Sequence, residues 1–140
     1  MATPESIDQF LSERRNAIVA GIRADGRPSL TPNWYLWDGE RFYVSTMRGR
    51  SKYRLFRRDG RAQIVVDDCT GHRYVQVDTA VDIWEDHERG LPYFRAVREK
   101  YGRPVGDDAE LMANLKAEDR VLLVFTPDKP PAEWNASGLE

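Results

Sequence analysis

The chain has one cysteine, Cys69, and two histidines, His72 and His87, in 140 residues. A lone cysteine excludes an internal disulfide and a cysteine-based zinc cluster, and it suits a reducing compartment. Neither histidine has a second ligand at metal spacing, and neither has a partner that would make it a catalytic base. Asp67 and Asp68 are adjacent, so on a strand they point to opposite faces and cannot act as a dyad. No apolar run approaches the ~20 residues a membrane span needs, and the N-terminus has no apolar signal-peptide segment. A cytoplasmic protein is expected. The usual side chains of acid–base and nucleophilic catalysis are scarce, which turns attention to chemistry carried by a bound cofactor.

The chain does have an ordinary globular composition, with 41% hydrophobic and 31% charged residues, enough for one domain over residues 1–140 with a single core. The net charge of −2 and the pI near 5.8 argue against nucleic acid as the partner. Against this acidic background one segment reverses sign. Seven basic residues lie between Arg48 and Arg61, with Asp59 as the single acid. The segment follows the hydroxyl pair Ser45-Thr46, and it suits a small anion such as a cofactor phosphate.

Turn and cap signals divide the chain into short elements. Thr3-Pro4-Glu5 reads as N-cap, N1 proline and first-turn acid, with Ile7, Phe10 and Leu11 on one helical face. Residues 17–22 form an apolar strand that ends at Asp25-Gly26, and residues 28–37 a second that ends at Asp38-Gly39. With residues 41–46 these predict a three-stranded meander. Residues 51–58 form a short helix, and residues 62–66 and 72–84 the fourth and fifth strands. Residues 85–101 are helical up to Gly102, Asp107 or Asp108 caps another short helix, and residues 121–125 are the sixth strand. The expected fold is mainly β (α+β), a six-stranded antiparallel barrel with short peripheral helices.

A phosphorylated ring cofactor needs anion donors and a flat wall. Arg50, Ser51 and Lys52 offer a guanidinium, a hydroxyl and an ammonium at a helix start. Period-2 geometry puts Pro32 and Trp34 on one strand face, and Thr31, Asn33 and Tyr35 on the other. An isolated tryptophan at position 34 is expected to be core. Trp134 is different, because a large aromatic in a proline-rich tail must pack on something specific.

In order and spacing these pieces resemble the split β-barrel flavin and deazaflavin oxidoreductases, the superfamily of pyridoxamine 5'-phosphate oxidase. The pieces are Asp25-Gly26-Arg27-Pro28, Leu30 to Tyr35, Ser45-Thr46, Ser51-Lys52, Arg57-Arg58-Asp59, Tyr74 to Val77 and Trp134. The chain is most similar to the actinobacterial branch that uses the deazaflavin coenzyme F-420. The resemblance implies that Pro32, Asn33 and Trp34 line the ring, and that Ser45, Thr46 and Met47 bond its polar edge or ribityl chain. It implies that Arg50, Ser51 and Lys52 hold the phosphate, that Tyr74 and Gln76 approach from the side, and that Trp134 covers the cofactor across a homodimer interface. Leu55, Gly60 and Thr79 depart from the family pattern, where asparagine, proline and glycine are usual.

The implied activity is hydride transfer from reduced coenzyme F-420 to a small conjugated acceptor, with donor and acceptor carbons held ~3–3.5 Å apart. The same fold holding FMN, as an oxidase or a diaphorase-like reductase, is the alternative, as is a non-catalytic cofactor binder. A haem-binding barrel is disfavoured because neither histidine sits in an apolar segment. The proton donors evident in the sequence are Tyr35, Tyr43 and Tyr74.

Overall fold

Thr3 and Ser6 cap the first helix reciprocally: Ser6 N–H donates to Thr3 Oγ1 at 3.1 Å, and Thr3 N–H to Ser6 Oγ at 2.9 Å. This helix, α1 (Pro4–Ser12), then buries Ile7, Phe10 and Leu11 completely. The computed structural model describes residues 2–140. After α1 come β1 (Ala17–Ile22), β2 (Pro28–Asn33), β3 (Leu36–Trp37), β4 (Phe42–Met47), α2 (Ser51–Arg58), β5 (Arg61–Asp67) and β6 (Tyr74–Trp84). Helices α3 (His87–Lys100) and α4 (Asp108–Ala117), strand β7 (Arg120–Pro127), a 3-10 turn at Pro131–Glu133 and β8 (Asn135–Ser137) complete the chain.

The strands form one antiparallel sheet in the order β2-β1-β5-β6-β7-β4-β3, with β8 added beside β6. The expected meander does not form. Residues 28–37 are two strands, of which β2 pairs with β1 and β3 with β4, at opposite ends of the strand order. Trp34 and Tyr35 carry the chain between these ends and curl the sheet into a split barrel. The count therefore differs from six, through this break and through β8, which makes a paired strand of the tail. Pro28 and Pro32 fit because β2 is an edge strand and needs no second ladder.

Inside the barrel, Val19, Phe42, Val44, Ile64, Val77 and Phe125 are buried with Phe10 and Leu11 of α1. A second cluster, including Tyr43, Trp84, Phe94 and Leu122, fastens α3 and α4 to the outside of the sheet. The departures from the family pattern have local reasons. Leu55 packs over Gly21, where an added Cβ would meet its Cδ2 at 2.4 Å. Thr79 is buried, with its hydroxyl 3.3 Å from the Ala62 carbonyl oxygen. At Gly60 an added Cβ would lie 3.1 Å from the Val81 carbonyl oxygen. Among the described residues no helix is long and apolar enough to cross a membrane.

Candidate functional site

The seven cations between Arg48 and Arg61 are not equivalent. Arg48 pairs with Glu85 at 2.6 Å and Asp119 at 3.2 Å, and Arg61 with Asp59 at 2.8 Å. Asp59 is held down to about 2, chiefly by its hydrogen bond from Arg61. Arg54 donates to the Gly49 carbonyl, Arg57 to the Tyr53 hydroxyl and Arg58 to the Ile22 carbonyl. Five of the seven have no paired carboxylate among the described residues, and of these Arg50 and Lys52 stand together at the start of α2. Lys52 Nζ donates only to the neutral Asn33 Oδ1, at 2.6 Å. Burial, and then the neighbouring Arg50, push its pKa below the usual lysine value.

Both residues sit at the start of α2, where no side chain caps the first turn. Tyr53 N–H donates to the Arg50 carbonyl at 3.2 Å, the Ser51 and Lys52 amides ahead of it are free donors among the described residues, and the helix dipole adds positive potential there. Ser51 is exposed beside them. Two uncompensated cations, a hydroxyl and an uncapped helix start match the donor set a phosphate ester needs.

Asn33 links this anion site to a cleft of about 640 Å³, which it lines together with Pro32, Trp34 and Ser45. Trp34 is not core: it is 42% exposed. One face of its ring stacks on Tyr101, with centroids 4.7 Å apart and planes 4° apart. Most of the remaining lining comes from α3, the turn after it, α4 and the start of β7, including Arg98, Arg103, Glu118 and Arg120. Sequence reading passed over these arginines, which span residues 98–120 and show no motif. Tyr101 reads from its spacing as part of the apolar helix face with Phe94 and Val97. In the structure it is the C-cap of α3 and turns to Trp34.

The remaining candidates are placed differently. Ser45 faces the cleft, whereas Thr46 is buried and Met47 half-buried at the end of β4. The register carries Pro32, Ile18, Val65, Gln76 and Asn135 in one row across the outer face of β2, β1, β5, β6 and β8. Tyr74 lies on the same face as Gln76. Gln76 and Trp134 line a separate groove of about 220 Å³. Trp134 packs on its own barrel, 5.2 Å from the Trp37 ring, with its indole N–H on the Lys129 carbonyl at 2.8 Å. The candidate residues thus fall at two places: a cationic helix start joined to a cleft, and an outer groove on another part of the surface.

The tyrosine hydroxyls are largely committed. Tyr35 donates to the Leu11 carbonyl at 2.9 Å and Tyr43 to Asp38 Oδ2 at 2.7 Å. Burial is the main cause that pushes both pKa values up. His87 Nε2 is 2.7 Å from the Arg120 carbonyl oxygen, and no metal-binding group of His, Cys, Asp and Glu exists among the described residues.

Comparison with known proteins agrees with this architecture. The pyridoxamine 5'-phosphate oxidase family model matches residues 3–130. The chain belongs to this family. No curated protein sequence matches it. Among solved structures, this pyridoxamine 5'-phosphate oxidase family member is similar to an F-420 reductase, with 27% identity over 87% of this chain and 93% of the other, at a TM-score of 0.69. It is similar to a conserved hypothetical protein of Mycobacterium tuberculosis, with 27% identity over 92% and 82% of the two chains and a TM-score of 0.79. A heme storage protein of Vibrio cholerae shares the fold, at 18% identity, coverage of 99% and 97%, and a TM-score of 0.74.

Proposed function

We propose that this protein is a coenzyme F-420-dependent oxidoreductase, working as a homodimer, that reduces a small conjugated acceptor. The carrying observation is the Lys52–Asn33 contact. It joins an anion site with two uncompensated cations to a cleft walled by an exposed tryptophan. A flat, phosphorylated cofactor needs these two environments side by side. The similarity to an F-420 reductase favours the deazaflavin over FMN.

The bound cofactor would supply a hydride; the acceptor takes it at an electron-poor carbon, takes a proton at the neighbouring atom, and is reduced by two electrons. Arg50, Ser51 and Lys52 hold the phosphate, and Asn33 and Trp34 set the ring's position. With the Tyr35 and Tyr43 hydroxyls committed elsewhere, the proton comes from solvent or from Tyr74 of the partner. A second copy would account for the two separate places, each supplying half of one shared site. The outer face carries Ile18, Ala20, Leu30, Pro32 and Val65 beside the Gln76–Trp134 groove, an apolar patch for self-association. Docking there would bring Gln76, Tyr74 and Trp134 of one protomer toward the ring held by the other.

The test is titration of the purified protein with oxidised coenzyme F-420, followed by the cofactor's fluorescence, with FMN in parallel. Saturable binding of coenzyme F-420, weaker binding of FMN, and oxidation of the reduced cofactor by a quinone or enone acceptor are expected. Tight FMN binding without coenzyme F-420 binding would replace the deazaflavin with a flavin.

A further inference from the structure

The side of the cleft built by α3, the turn after it and β7 carries more positive charge than the fold uses. Arg98, Arg103 and Arg120 line it, and Glu118 is the carboxylate that Arg98 and Arg120 share. Glu118 lies 3.6 Å from Arg98 and 3.4 Å from Arg120. Charge-assisted pairs normally close to about 2.7–2.9 Å, and this chain makes such pairs elsewhere, as in Arg95–Asp108 at 2.7 Å. Arg120 has one other side-chain contact, Nη1 to Ser45 Oγ at 3.4 Å. Its Nε is a buried nitrogen without any hydrogen-bond partner, the one such side-chain atom identified among the described residues. Arg103 has no acceptor for its guanidinium among the described residues, and its charge lies 5.8 Å from the Trp34 ring centroid. Burial pushes Arg98 below the usual arginine pKa, ahead of the opposing effect of Glu118.

A half-buried guanidinium with a buried, unpartnered Nε and two stretched contacts has donors to spare, and leaving them unmade is costly. The planar fork matches a carboxylate held by two parallel bonds. In the same cleft, the exposed Trp34 ring offers a flat apolar surface. We infer that the acceptor is a planar, conjugated carboxylic acid, its carboxylate received by Arg120 and Arg98 with Arg103 at the rim, and its conjugated part resting toward Trp34. This specifies the acceptor class for the reaction proposed above and rests on that reading for the chemistry, though not for the binding.

The test is calorimetric titration of the full chain with trans-cinnamate and with cinnamamide, a neutral analogue of nearly the same shape. It is done first without cofactor, then with saturating oxidised coenzyme F-420. Cinnamate should bind about 10- to 100-fold tighter than the amide, and Arg120→Gln should abolish that preference. If Arg120→Gln does not fold, Arg103→Gln in the turn after α3 should reduce the preference and carries the test. Equal binding of acid and amide, no binding of either, or a preference that survives both substitutions overturns the inference. So does displacement of coenzyme F-420 by cinnamate, which would make the arginine cluster the cofactor's own anion site. A preference for cinnamate in a protein that fails to bind coenzyme F-420 would support the carboxylate site and defeat only the proposed cofactor.

Discussion

Trp34 stacks on Tyr101 with ring planes 4° apart, and Tyr101 is itself pinned to the point where the sheet changes ends. Its hydroxyl donates to the Arg15 carbonyl at 2.6 Å and accepts from Tyr35 N–H at 3.2 Å. One side chain therefore supports the exposed tryptophan and satisfies the backbone at the break between β2 and β3. Tyr101→Phe keeps the stack and removes both hydrogen bonds. Leaving a half-buried amide unpaired should cost about 1–3 kcal/mol in denaturant unfolding. Tyr101→Ala should also raise the dissociation constant for coenzyme F-420, because the ring behind Trp34 is gone.

The division of the basic run predicts an unequal mutant series. Lys52→Ala should raise the coenzyme F-420 dissociation constant roughly 10- to 150-fold, since a bond to a charged group is worth about 1.5–3 kcal/mol. Arg50→Ala should act in the same direction. Arg54→Ala and Arg61→Ala should change affinity little, because those guanidinia are already engaged by Gly49 and Asp59. Equal losses across all four, titrated at two salt concentrations, would reduce the run to a diffuse basic face.

Leu30 is 60% exposed on the outer face of the edge strand β2. If a second copy covers that face, Leu30→Asp should convert a dimer into a monomer of 16.2 kDa in light scattering. Its circular dichroism should match the wild type. A wild-type protein that scatters as a monomer at micromolar concentration would remove the partner from the site.

Lys100 is largely buried, with Nζ 2.8 Å from the Leu11 carbonyl oxygen and 3.6 Å from the Tyr35 ring centroid. Desolvation, and then Arg15, lower its pKa from 10.5 to about 8. The unfolded chain therefore binds more protons than the native one between these values, and stability rises with pH across that window. The penalty of the charged form is fully present below pH 8 and is relieved toward pH 10. Lys52, shifted down as well, adds in the same direction. The melting temperature should climb between about pH 8 and 10, the window between the folded and unfolded pKa values, and Lys100→Met should flatten the climb.

Gly21 faces α2 across a gap already filled by Leu55 and Phe56, whose atoms would lie 2.4 and 3.0 Å from an added Cβ. Gly21→Ala should destabilise by about 1–3 kcal/mol through overpacking. Because α2 carries Arg50 and Lys52, it should weaken cofactor binding too. Full affinity in a folded Gly21→Ala protein would show that the helix start tolerates displacement.

Local rules determined a good deal by themselves. The Thr3 cap, the turns at Asp25-Gly26 and Asp38-Gly39, the helix after the basic loop and the aspartate cap of α4, which falls on Asp107 of the two aspartates the sequence offers, depend on residues a few positions apart, and each is found where the sequence puts it. The reversal of charge after Ser45-Thr46 was equally legible. Tertiary structure decided the rest, because the deciding partners are distant in the chain. Arg48 is neutralised by Glu85 and Asp119 and Arg58 is engaged by Ile22, so which cations stay free is a matter of folding. The break at Trp34-Tyr35 follows from barrel closure, since no local signal tells a continuous strand from one whose halves pair at opposite ends of a sheet. Arg98, Arg103 and Arg120 share a cleft only because α3, the turn after it and β7 pack side by side. Periodicity and turn chemistry act over one or two turns of chain, whereas charge compensation and cleft formation act through space.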